Sequence, residues 1–372
     1  MPRTLIAITL LLALTLPVAA QSLVSVPLDS QEITFKGARY IEYGKPYASP
    51  SEQTGPQFVM PLRFSQPVLK TPIKVSRFNS QTAQWSAGIE LHLVTDSTNI
   101  VIAFKIQPAR RGRPGICQVY QDNRLLKDYP IKSAKKNKNA QIHIKSADDK
   151  KHHYRIMLPA TMALQITSLQ IDKGSKLDKV SLPSKPIYVA MGDSITHGSA
   201  GIDGITTKSF AYLLATKLNY DLYNLGIGGG RVSPMLGTML KDWKKIDLIT
   251  LLIGYNDLSW AGVPVANYQK YYLDLLTEIR KSHPNTPLFC LTLTFTKLKK
   301  SPKTGITPEE YRNVVRSLVK TFQQQGDKNI HLVEGEPLTD ISGLNDPVHF
   351  NTKGNQDVAK RLGEIITTQL AQ

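Results

Sequence analysis

Two hydrophobic periods divide the chain. Up to about Asp172, apolar residues alternate with polar ones in short runs. Ile89, Leu91 and Leu93 alternate, Asp96-Ser97 read as a turn, and Ile100 to Ile106 resume, which predicts a hairpin. Gly115 to Ile131 ("GICQVYQDNRLLKDYPI") predicts a second, with Asp122-Asn123 at its tip. Ala140 to Pro159 predicts a third around a charged turn, and Ala163 to Asp172 adds one more strand. Short strands with closely spaced turns imply an all-β, jelly-roll-like sandwich over residues 21–172. Residues 173–186 are polar and carry Gly, Ser and Pro, the composition of a linker.

From Ile187 the pattern alternates strands with helices. Ile187–Met191, Asp221–Leu225, Asp247–Ile253, Leu288–Phe295 and Ile330–Val333 read as strands. Ser209–Leu218, Asn267–His283, a segment opened by the capping box Thr307-Pro308-Glu309-Glu310, and Thr352–Gln369 read as helices. Such alternation predicts an α/β fold over 187–372, a parallel sheet with helices on both faces. Ligands bind such sheets at the carboxyl ends of the strands.

Residues 1–20 break both patterns. One early Arg, an apolar run from Leu5 to Val18 and the small pair Ala19-Ala20 give the layout of a cleavable secretory signal. The expectation is a secreted or periplasmic protein, with no stable membrane span elsewhere. Cys117 and Cys290 are too few and too far apart for a disulfide scaffold. Cys-x-x-Cys and His-Glu-x-x-His are both missing, so no metal site is signalled. The net charge of +17 favours polyanions, and no nucleic-acid-binding module is recognisable.

The strand ends carry the candidate chemistry. Gly192-Asp193-Ser194 follows the first α/β strand, "NLGIGGG" (Asn224–Gly230) the second, "GYND" (Gly254–Asp257) the third, and "NDPVHF" (Asn345–Phe350) the last. Each alone is ordinary turn chemistry. Together they assemble a nucleophilic hydrolase: Ser194 attacks, His349 takes its proton, and Asp346 orients the imidazole. The developing oxyanion needs fixed donors, which the backbone of Ser194 and Gly229 and the amide of Asn256 can supply.

The four blocks Gly192-Asp193-Ser194, Gly229, Gly254-x-Asn256 and Asp346-x-x-His349 resemble those of the SGNH (GDSL-type) hydrolases. The resemblance implies a flavodoxin-like sheet with Ser194 as nucleophile and Ser194, Gly229 and Asn256 as the oxyanion hole. The stretches "SAGIELHLVTDS" and "GICQVYQDNRL" look like the β-sandwich preceding some bacterial carbohydrate esterases of this kind. Gln118-Val119-Tyr120 stands where that group has Asp-Leu-Tyr.

The expectation is a secreted serine esterase that removes O-acetyl or other short acyl groups from a polysaccharide without a cofactor. The alternatives are a lipase, arylesterase or thioesterase, or a non-catalytic polysaccharide-binding protein. For substrate binding, His197 either touches substrate or is a structural histidine, and Trp260 is either a sugar-stacking wall or a core residue. Lys297 and Lys299, in the run "KLKKSPKTG", follow the fourth strand onto the same rim. They make an acidic substrate an attractive candidate.

Overall fold

The computed structural model describes residues 22–47, 55–107, 113–132 and 138–371. The signal read in residues 1–20 lies outside the described residues.

The N-terminal part is a sandwich of two largely antiparallel sheets. One runs in the order β3 (Tyr40–Tyr43), β4 (Val59–Leu62), β11 (Leu164–Asp172), β6 (Asn99–Ile106), β9 (Lys138–Lys145), with β1 (Leu23–Ser25) also on β11. The other runs β12 (Leu177–Asp178), β5 (Glu90–Thr95), β10 (His152–Met157), β7 (Gly115–Gln121), β8 (Arg124–Ile131), with β2 (Thr34–Lys36) also on β5. Their inner faces share one apolar core that includes Leu91, Ile102, Phe104, Val119 and Ile156.

Only one of the three expected hairpins forms. β7 and β8 pair directly, and their tip Asp122-Asn123 takes positive φ at both residues, as a tight two-residue hairpin requires. β5 and β6 are adjacent in sequence but lie in opposite sheets, and so do β9 and β10. Their apolar faces close on each other across the core instead of lying side by side. The turn after β5 is fixed by the buried Asp172 carboxylate. It accepts bonds from the backbone N–H groups of Thr98 and Asn99 at 2.9 Å and from the Thr98 hydroxyl at 2.8 Å. The 173–186 stretch also departs from a plain linker, because β12 within it pairs with β5.

The C-terminal part is a five-stranded parallel sheet in the order β14 (Asp221–Gly226), β13 (Ile187–Gly192), β15 (Leu248–Leu252), β16 (Leu288–Leu291), β17 (Ile330–Val333). This is the flavodoxin-like order, with β13 at the point where the winding reverses. The helices are α4 (Ser194–His197), α5 (Phe210–Leu218), α6 (Pro234–Thr238), α7 (Val265–Ser282), α8 (Pro308–Gln324) and α9 (Thr352–Leu370). β13, β15 and β16 are almost wholly buried, as helices on both faces demand.

Between β4 and β5 the chain leaves the sandwich. It forms three short helices, α1 (Gln66–Lys70), α2 (Ile73–Ser76) and α3 (Ser80–Ala83). Phe64, Leu69, Phe78 and Trp85 of this arm belong to the core of the α/β domain, together with Val189, Leu225 and Leu251. The sequence pattern gave no sign of this excursion.

Candidate active site

Ser194 is placed by a forced turn. At the end of β13, a side chain on Gly192 would lie 2.3 Å from the Leu252 carbonyl oxygen and 2.2 Å from Thr196 Oγ1, so the chain there must be glycine. Asp193 then caps α4, its Oδ1 accepting from the Ile195 N–H at 3.1 Å. As the first residue of α4, Ser194 keeps an N–H with no intrahelical acceptor.

The loop before α9 brings His349 and Asp346. His349 Nε2 lies 2.8 Å from Ser194 Oγ, and His349 Nδ1 lies 2.7 Å from Asp346 Oδ2. Asp346 Oδ1 also accepts from the backbone N–H groups of Val348 and His349, each at 2.9 Å. Burial alone would raise the Asp346 carboxyl. These N–H bonds and the neighbouring imidazole outweigh it and hold the group below its ordinary value. The loop is steadied by the segment after β16, where the Lys297 N–H and the Thr296 hydroxyl both donate to the Pro347 carbonyl.

The third wall is the loop after β14. Gly229 has φ +76°, lines the cleft, and has open space where a side chain would stand. Its N–H meets no acceptor among the described residues. Asn256 Nδ2 donates to the Gly230 carbonyl at 2.9 Å, which orients the amide beside the same loop. Ser194, Gly229, Asn256 and His349 therefore face one open cleft of ≈ 790 Å³.

One side of that cleft comes from the sandwich and its arm. Ile73, Asn79, Thr82 and Trp85 line it beside Arg113 from the loop before β7. Arg113 Nη1 donates to the Ser199 carbonyl at 2.7 Å. Behind the wall, the buried Arg63 spends its guanidinium on five carbonyls. These include Asn224 at 2.8 Å and Gly226 at 2.6 Å on β14, and Trp85 at 2.7 Å on the arm. Burial lowers the Arg63 guanidinium to about 9, which leaves it charged at neutral pH. Arg77 Nη2 pairs with the buried Asp257 carboxylate at 2.8 Å, and its guanidinium stacks 3.6 Å from the centre of the Tyr271 ring.

Of the expected substrate-binding residues, Trp260 lines the cleft and is 53% exposed, carried on a π-helical turn, Asp257–Ala261. His197 is sealed behind the wall. Its Nδ1 accepts from the Gly228 N–H at 2.9 Å, so its proton sits on Nε2, and burial holds the ring well below the ordinary histidine pKa. Lys297 and Lys299 are exposed and stand outside the cleft lining, whereas Lys303 of the same run lines it. Thr82, Trp85 and Arg113 carry no motif, and sequence reasoning did not find them.

Residues 190–356 match the model of the GDSL-like lipase/acylhydrolase family. The C-terminal domain belongs to that family. This GDSL-type domain is an esterase domain, and the sandwich ahead of it is part of a recurring two-domain fold. The salicylyl-acyltransferase SsfX3 from a tetracycline biosynthetic pathway superposes with a TM-score of 0.77 at 20% identity, over 92% of this chain and 96% of that one. A family two carbohydrate esterase from Clostridium thermocellum, in complex with cellohexaose, gives 0.64 at 16% identity over 89% and 99%. A family two carbohydrate esterase from Cellvibrio japonicus gives 0.62 at 16% identity over 95% and 99%. At these identities the likeness is one of fold. No curated protein sequence matches the chain.

Proposed function

We propose that the protein is an exported esterase that removes O-acetyl or other short acyl groups from a polysaccharide, with Ser194 as nucleophile. The carrying observation is the 2.8 Å approach of Ser194 Oγ to His349 Nε2, with Asp346 on the far nitrogen, in the cleft that Gly229 lines with an N–H unpaired among the described residues.

In this reading Ser194 Oγ attacks the acyl carbonyl while its proton passes to His349 Nε2. The carbonyl oxygen becomes an oxyanion held by the N–H groups of Ser194 and Gly229 and by the Asn256 amide, each such donor worth about 3 kcal/mol. The sugar oxygen leaves with the proton from His349, and the acyl group stays on Ser194. Water then attacks, gives its proton to His349, and the carboxylic acid is released as Ser194 recovers its hydrogen. Trp260 offers a flat face to a sugar ring. Arg113 and Lys303 line the cleft, and no Asp or Glu does among the described residues, which favours an anionic polymer.

The polysaccharide reading draws on the open cleft and on the carbohydrate esterases that share the fold. The acyltransferase shares it too, so the readout must separate release into water from transfer. The test is acetate release from acetylated neutral and acidic polysaccharides by the wild type and by Ser194→Ala, with added free sugar as a competing acceptor. Release by the wild type alone, fastest on the acidic polymer, is the expected result. Turnover of a short aryl ester with no release from any polymer would remove the polysaccharide reading. Unimpaired Ser194→Ala would remove the serine mechanism.

A further inference from the structure

Two adjacent glycines make the oxyanion loop torsionally soft. Gly228 and Gly229 flank one peptide unit, and neither has a side chain to resist its rotation. That unit holds the Gly228 carbonyl on one side and the Gly229 N–H on the other. In a trans peptide the two point in opposite directions. Whatever grips the carbonyl therefore aims the N–H.

The grip comes from the other domain. Thr82 Oγ1, on α3 of the arm, lies 2.8 Å from the Gly228 carbonyl oxygen. The peptide before it is fixed as well, by the Gly228 N–H on His197 Nδ1 at 2.9 Å. His197 is backed by the Trp85 ring at a centroid distance of 5.5 Å. Gly229 lines the cleft, and its own N–H has no partner among the described residues.

We infer that the Thr82 hydroxyl is a positioning residue for catalysis: by donating to the Gly228 carbonyl, it holds the Gly229 N–H on the oxyanion. The bond also polarises the peptide, which strengthens the N–H as a donor. The inference rests on the reading of Ser194 as nucleophile and Gly229 as an oxyanion donor. One competitor for the hydroxyl is on the same helix turn. The Asn79 carbonyl lies 3.0 Å from Thr82 Oγ1, and a hydroxyl has one proton to give. The Gly228 contact is the shorter, and it spans the two domains.

The experiment is steady-state hydrolysis of p-nitrophenyl acetate by the full chain carrying Thr82→Val, Thr82→Ala or Thr82→Ser. Losing an oxyanion donor outright costs about 100- to 1000-fold in kcat, so a misaimed one should cost roughly tenfold. The expected result is that loss in both Val and Ala, with KM unchanged and Ser close to wild type. Inhibition by a boronic acid, which forms a tetrahedral adduct on the serine, should weaken by the same factor in Val and not in Ser. Thr82 is only partly buried, so Val keeps the fold; the Ala variant deletes the hydroxyl independently.

Two results overturn the inference. If Val and Ala match the wild type, the hydroxyl serves Asn79. If Ser falls with Val, the methyl group and the shape of the wall matter instead. Ser194→Ala, measured beside them, separates the two levels. Full activity in that variant removes the serine reading itself, whereas an inactive Ser194→Ala with a fully active Thr82→Val removes only the role of Thr82.

Discussion

Asp193 stands beside Ser194 and is sealed from water. Burial raises its carboxyl to about 6, against the weaker pull of the Ile195 N–H and of His349. The ordinary value is 3.8, so the folded chain keeps this proton over a range where the unfolded chain has lost it. The resulting stability is full below about pH 4 and is lost as pH rises through about 6. Asp193→Asn keeps an oxygen for the Ile195 N–H but removes the titration. Urea midpoints measured across that window should fall more steeply in the wild type than in the variant; parallel curves would contradict the assignment.

The site residues were unequally legible at this scale. Ser194, Gly229 and Asn256 could be found because each lies where an apolar strand gives way to a polar, glycine-bearing turn, and Asp346 and His349 because they stand three apart in a polar segment just before the last helix. Thr82, Arg63 and Arg77 could not. Each serves the α/β domain from another part of the chain, and nothing local marks a threonine hydroxyl or an arginine as owed to a distant carbonyl. His197 sits three residues after Ser194, which left it readable as a substrate contact or as a structural histidine. Its actual work is to accept the Gly228 N–H.

At the scale of elements, the strands were largely legible and their partners were not. Alternation fixes which face of β5 or β6 is apolar, but two apolar faces can meet edge to edge in one sheet or face to face across two. The turn decides. At Asp122-Asn123 positive φ at both residues closes a hairpin. After β5 the carboxylate of Asp172, far away in sequence, gathers the Thr98 and Asn99 amides and sends the chain to the opposite sheet. Hydrogen bonds hold that carboxyl below its ordinary value despite the cost of burial. Asp172→Ala would take the acceptor away from several half-buried donors and should destabilise the sandwich by about 2 kcal/mol. Chemical denaturation should show that loss, with hydrolysis of a small ester unchanged at temperatures where the variant is folded.

At the scale of the molecule, the two domains are not two beads on a string. Arg63, Phe64, Phe78 and Trp85 lie in the N-terminal third of the sequence and pack into the hydrolase. Lys36 pairs with Asp221 across the same boundary. A chain cut to residues 187–372 would expose the apolar ground that the arm covers and would lose the Arg63 contacts to β14 and the Thr82 contact to the loop after it. It should bind a hydrophobic dye, lack a sharp thermal transition and fail to hydrolyse a small ester. A cooperative, active fragment would show the arm to be dispensable.

The arm also sets a clock on synthesis. Arg63 and the Asn224 carbonyl that receives it are 161 residues apart. At about 5–20 residues per second, a ribosome needs roughly ten to thirty seconds to deliver one after the other. Only late in that interval, once β11 and β12 have been made, can the sandwich close around its own strands, and Phe64, Phe78 and Trp85 still have no surface to settle on. The nascent chain carries a finished sandwich with an unsheltered greasy loop, and that loop is the handhold a chaperone would take until the hydrolase emerges.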